Sequence, residues 1–150
     1  MRQRTYSLHR RAAGLTLIEV LVAMVITSVG LLGVAGLHMR SLQSNYDALM
    51  RTHASSLAGD IADRMRANPS AVTEDGVYDQ IAFGAKPAVG TNPTQALRDA
   101  QEWKDALEAQ LPGGDGDVIV DDDTRVVTIR VRWGERGEAE PVEFETQTVI

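Results

Sequence analysis

The chain has 150 residues, 15 Lys and Arg against 21 Asp and Glu for a formal charge of −6, and no cysteine. That length allows one small domain plus a segment or two. The missing thiols exclude disulfides, thiolate zinc sites and cysteine nucleophiles. Net acidity argues against nucleic-acid binding, and 5% aromatic residues argue against an aromatic-lined ligand pocket.

The charge is unevenly placed. Arg2, Arg4, Arg10 and Arg11 stand in the first 14 residues with no acid among them, which leaves 11 basic against 21 acidic residues in the rest. Val20 to Leu37 then runs without a charge. As a helix this stretch spans about 27 Å, close to the hydrocarbon thickness of a bilayer. It has no polar face. The arginines keep the head cytoplasmic, so the chain beyond Leu37 is expected outside the inner membrane. Three readings fit: a signal peptide cleaved after Ala35, a single-pass anchor, or a segment cleaved ahead of its apolar run. Glu19 is costly at the edge of such a run. It either reaches the headgroups or awaits a cationic partner inside the bilayer.

The spacing of Leu42, Tyr46, Leu49, Met50, His53, Leu57, Ile61 and Met65 predicts that the helix continues amphipathically to Asn68-Pro69. One helix from Leu15 to about Ala67 follows. Gly30, Gly33 and Gly36 weaken it by about 1 kcal/mol each, which suits either close helix packing or local unwinding. Residues 68–93 read as irregular, with Val77–Asp79 and Ile81–Phe83 as short extended pieces. Asn92-Pro93-Thr94-Gln95 reads as N-cap, Pro at N1 and Gln at N3 of a second helix. Its stripe is Leu97, Ala100, Trp103, Leu107 and Leu111, and Pro112-Gly113-Gly114 ends it.

The last third alternates as strands. Val118–Val120 precedes a turn at Asp121–Thr124. Val127, Ile129, Val131 and Trp133 form one face of the next strand, with Thr128, Arg130 and Arg132 on the other. Val142, Phe144, Thr146, Thr148 and Ile150 alternate with Glu143, Glu145 and Gln147 in the last. An antiparallel register pairing Trp133 with Val142, Val131 with Phe144, Arg132 with Glu143 and Arg130 with Glu145 satisfies both faces. The expected fold is α+β: a long N-terminal helix, half apolar and half amphipathic, packed on a small antiparallel sheet. No phosphate loop is present. His9, His38 and His53 lie far apart, no serine has an evident base, and Asp115, Asp117 and Asp121–Asp123 lack EF-hand spacing. Neither an enzyme nor a bound cofactor or metal is expected.

Gly14-Leu15-Thr16-Leu17-Ile18-Glu19-Val20-Leu21-Val22-Ala23, behind the basic leader, resembles the type IV prepilin motif. The resemblance implies cleavage between Gly14 and Leu15 by a prepilin peptidase, methylation of the Leu15 amine by the same enzyme, and an assembly salt bridge through Glu19. Leu15 stands where Phe is usual. The resemblance also implies a pilin-like fold in three parts: a leader at 1–14, a transmembrane and fibre-core helix at 15–37, and a periplasmic domain at 38–150. Gly30, Gly33 and Gly36 would mark the stretch that melts in fibres. The order Asp63-Arg64-Met65-Arg66-Ala67-Asn68, Trp103, Leu111-Pro112-Gly113-Gly114 and Trp133 is similar to PilV-type minor pilins. That implies a role in priming pilus assembly, twitching motility and adhesion. The implied partners are other minor pilins, the major pilin, the assembly platform and a tip adhesin, with localisation to the inner membrane and then the extracellular pilus. A type II secretion pseudopilin and an unrelated membrane-anchored binding domain are the alternatives.

Overall fold

The computed structural model describes residues 14–73, 76–88, 90, 93–137 and 139–150. Arg2, Arg4, His9, Arg10, Arg11 and the expected cap Asn92 lie outside the described residues. The elements are α1 (Leu17–Ala67), α2 (Pro69–Thr73), a 3₁₀ turn (Tyr78–Gln80), α3 (Gln95–Gln110), β1 (Asp115–Asp121), β2 (Val126–Trp133) and β3 (Val142–Val149). The long helix followed by an antiparallel sheet in the order β1-β2-β3 is the expected α+β layout. Two compact units divide the chain between Gln43 and Ser44, a boundary inside α1.

In the second unit the covered face of α1 begins at Met50 and continues through Ala54, Leu57, Ala58, Ile61, Ala62 and Met65. The apolar periodicity runs further back than this: Leu42, Tyr46 and Leu49 are exposed, at 69%, 48% and 49%. The alanines complete the buried face, because their short side chains let neighbouring elements close on the helix. α3 starts two residues later than its sequence suggests. Thr94, extended at φ −64° and ψ 160°, is its N-cap and accepts from the Leu97 N–H. Its buried face is Ala96, Ala100, Trp103 and Leu107, with Leu97 half-buried. Tyr78 lies in the 3₁₀ turn and not in an extended piece.

Trp103 is fully buried and donates its indole N–H to the Leu57 carbonyl of α1 at 2.8 Å. β1 crosses the ring at Gly116, where an added Cβ would stand 2.5 Å from Trp103 Cη2 and 3.0 Å from the Arg130 carbonyl oxygen. Only a glycine permits that approach. The inner face of the sheet, with Val118, Val127, Ile129, Val131 and Trp133, shares one core with α1, α3, Tyr78 and Ile81.

The β2–β3 register is the one read from the sequence, with Trp133 opposite Val142 and Arg130 opposite Glu145. The charges nevertheless pair elsewhere. Arg130 turns to Asp117 of β1, with Nε 2.7 Å from Oδ1, and Arg132 donates to Asp115 at 2.8 Å. Phe83 lies beneath both guanidiniums, 4.1 Å from Arg132 and 5.2 Å from Arg130. Lys104, 3% exposed, donates to the carbonyls of Ala82 and Gly116 and to Asp115. Burial pushes the Asp115 carboxyl up, but Lys104, the Gly84 N–H, Arg132 and the Gly116 N–H together hold it below its ordinary value. The strand segment was legible as Val118–Val120, and this clamp is what extends β1 back to Asp115.

A second network joins α1 to α3. Arg64 donates to Asp60, Asp99 and Glu102, and Tyr78 donates to Asp99 at 3.0 Å. Its bond to Glu102 outweighs partial burial and raises the Arg64 pKa; burial, then Asp99, raises that of Tyr78.

Replacing Trp133, 1% exposed, by alanine is expected to cost about 3–5 kcal/mol, read as a lower denaturant midpoint by far-UV circular dichroism. Asp115→Asn tests the clamp. The native Asp115 pKa is depressed, so its stabilisation is full above the unfolded pKa of about 3.9 and lost as pH falls through the native value. The variant is therefore less stable than wild type at neutral pH, and the gap should close below pH of about 4 in paired melting curves.

Candidate functional site

The candidate site is the start of α1. Gly14, Leu15 and Thr16 precede the first helical residue, Leu17. The Thr16 carbonyl accepts from the Glu19 and Val20 N–H groups at 3.1 and 3.3 Å, and Thr16 Oγ1 lies 3.4 Å from the Glu19 nitrogen. Thr16 thus occupies the N-cap position and Glu19 the N3 position, the Thr-x-x-Glu spacing of a capping box. Beside reaching headgroups or a cationic partner, Glu19 thus has a third role, whose local signal is the threonine three residues upstream. An acid in the first turn also faces the positive end of the helix dipole.

From Leu15 through Leu42 the large apolar side chains of this unit stand exposed, among them Ile18, Met24, Ile26, Leu31 and Leu32. α1 is the helix among the described residues that is long and apolar enough to cross a membrane, with a mean hydropathy of 2.4 over its most apolar window. The two hydroxyls between Leu17 and Leu37 are satisfied within the helix: Thr27 donates to the Ala23 carbonyl at 2.8 Å and Ser28 to that of Met24 at 2.7 Å. Neither adds an unmet polar group to an apolar surface.

Gly14, Gly30, Gly33 and Gly36 have open space where a Cβ would stand. No contact within the subunit, among the described residues, requires glycine at these four positions. Elsewhere, no group of three or more described His, Asp or Glu side chains is placed to hold a metal ion. The Asp121 carboxylate is engaged in its own turn, accepting from the Asp123 and Thr124 N–H groups at 3.0 and 3.1 Å.

Residues 9–35 match the family model described as the prokaryotic N-terminal methylation motif. No curated protein and no solved structure matches the chain significantly. The matched segment is a type IV pilin-like prepilin signal, the kind that prepilin peptidase processes. Together with the apolar start of α1 it fits a membrane-anchored, pilin-like protein.

If Thr16 caps α1, Thr16→Ala removes about 1 kcal/mol from the first turn. Amide exchange at residues 18–20 in detergent micelles should then speed up while exchange at residues 50–65 is unchanged. Equal exchange in both proteins would show that the cap is not formed.

Proposed function

We propose that this chain is a minor pilin of the PilV type that primes type IV pilus assembly and thereby supports twitching motility and adhesion. The peptidase cuts between Gly14 and Leu15 and methylates the Leu15 amine. The helix from Leu15 to Leu37 first anchors the subunit in the inner membrane, with residues 38–150 on the periplasmic side, and later enters the fibre core. The observation that carries this reading is the pairing of the matched signal at 9–35 with an α1 that exposes its apolar residues up to Leu42 and is covered from Met50 onward.

Glu19 supplies the docking charge. A carboxylate and an amine brought together in low dielectric attract far more strongly than in water, and each relieves the other's burial cost. The partner amine is that of a neighbouring subunit, so this chain is added beneath another subunit and does not cap the tip. The capping role is compatible with this, because Thr16 and Glu19 both lie on the mature side of the cut. Gly30, Gly33 and Gly36 lower helix propensity in the same stretch, which allows close packing or local melting as the helix leaves the lipid. The partners are other minor pilins, the major pilin, the assembly platform and a tip adhesin.

One experiment tests both steps. Gly14→Val should leave an uncut precursor by intact mass, and the open space at Gly14 means that the change reports on the peptidase and not on the subunit's packing. Glu19→Ala should be cut normally yet be depleted among full-length partner pilins co-purified from membranes. Normal cleavage of the first variant, or wild-type recovery of the second in complexes and sheared fibres, refutes the corresponding step. A deletion that abolishes secretion and spares piliation would assign the chain to a type II secretion pseudopilus instead.

A further inference from the structure

The two edges of the sheet are finished differently. The bond from the Ile150 N–H to the Arg125 carbonyl, at 3.2 Å, fixes which residues of β3 face β2. In an antiparallel ladder, alternate residues exchange both backbone bonds with the partner. With the register of β2 and β3, Val142, Phe144, Thr146 and Thr148 therefore bond to β2. Glu143, Glu145, Gln147 and Val149 turn their N–H and C=O groups outward. Among the described residues these outward groups have no backbone partner.

β1 shows the contrast. Several of its outward groups are closed: the Gly116 carbonyl by Lys104, the Gly116 N–H by Asp115, the Val118 N–H by the Ile81 carbonyl at 3.0 Å, and the Val120 N–H by Asp79 at 3.2 Å. Exposed edges are ordinarily covered, shortened, bulged or blunted. β3 is eight residues long and contains no proline.

Charge and shape specify what fits there. Arg130 and Arg132 are committed to Asp117 and Asp115, so Glu143 and Glu145 are exposed with no cation at ion-pair distance among the described residues. On the other side of the strand, a groove between α1 and β3 is lined by Ala58, Gly59 and Ala62 facing Phe144 and Thr146, and at one end by Arg66, which donates to Asp63 and to Thr148 of β3. Beside it a hollow is lined by Trp133, Val142 and Phe144 together with Arg51 and Glu143; the Arg51 guanidinium pairs with Glu135 at 3.9 Å. The Trp133 indole N–H is buried with no acceptor among the described residues. A second copy of β3 is a poor occupant: an antiparallel self-pair centred on Glu145 sets that carboxylate against its own copy, one centred on Thr146 sets Glu143 against Val149 and Glu145 against Gln147, and neither supplies a cation.

We propose that the β3 edge accepts an extended segment of a different polypeptide, added as a fourth strand, with Lys or Arg at alternate positions against Glu143 and Glu145 and small apolar residues over Phe144. Backbone pairing supplies the affinity, and the charge pattern supplies the selectivity. The inference does not rest on the pilin reading, and its readout lies at residues 143–149, away from the processing site.

The test uses full-length protein in detergent micelles and a labelled peptide alternating lysine with valine and threonine. Binding should slow amide exchange at residues 143, 145, 147 and 149. N-methylating alternate backbone amides of the peptide should abolish binding, since charge is retained but one strand edge is blocked. The double variant Glu143→Lys, Glu145→Lys should bind the lysine peptide about tenfold more weakly or worse. It should also gain binding to the same peptide with glutamate in place of lysine. An unchanged melting curve confirms that the double variant is folded. Unaltered exchange at 143–149, or equal binding of the N-methylated peptide, would show that any attraction is charge alone and overturn the proposal. Slowed exchange in the protein alone, rising with its concentration and independent of peptide, would make the edge a self-association surface and overturn it equally.

Discussion

The soluble fold turns on the position of one ring. Trp103 reaches from α3 to the Leu57 carbonyl of α1, and β1 passes over it at Gly116. A helix, a second helix and a strand thus meet on a single side chain, and a polar bond fixes its orientation where apolar packing alone would tolerate sliding. The alanine row at 54, 58 and 62 fits this arrangement. A larger residue in that row would hold α1 away from the elements that cover it.

Around that ring the polar groups divide the sheet into a sealed side and an open side. Lys104 and the two arginines converge on Asp115 and Asp117, and Phe83 fills the space under the guanidiniums. A buried lysine is tolerable because it has a carboxylate and two carbonyl acceptors. The cost of drawing both arginines toward β1 is that the glutamates of β3 lose their expected partners. The same preference therefore seals one edge and gives the other its acidic character.

α1 works under two different constraints along its length. Up to Leu37 its sequence is apolar on every face, which suits lipid or the core of a fibre and not a folded aqueous domain. From Met50 it is one-sided and is covered by α3 and the sheet. The matched signal at 9–35 ends inside the first of these stretches, before the covered face begins at Met50. The signal and the domain packing thus occupy separate parts of the sequence.

The sequence by itself determined the long helix, the break at Asn68-Pro69, the prepilin-type segment and the β2–β3 register. Each is a local pattern: an uncharged run, a proline, a short motif, or an alternation that one register satisfies on both faces. The start of α3 read from Asn92-Pro93 falls two residues early, because the Thr94 hydroxyl accepts from the Leu97 N–H and caps the helix there. The periodic stripe on α1 ran on through Leu42, Tyr46 and Leu49, since periodicity shows which residues are apolar and not where their cover begins. The Thr16 cap beneath Glu19 is a local pattern too, the Thr-x-x-Glu spacing. The pairing of distant charges, by contrast, depends on contacts between segments far apart in the chain. Arg130 and Arg132 had candidate carboxylates on both neighbouring strands. The choice of Asp117 and Asp115 depends on Phe83 and Lys104 arriving on that side, from segments that no local pattern connects to β2.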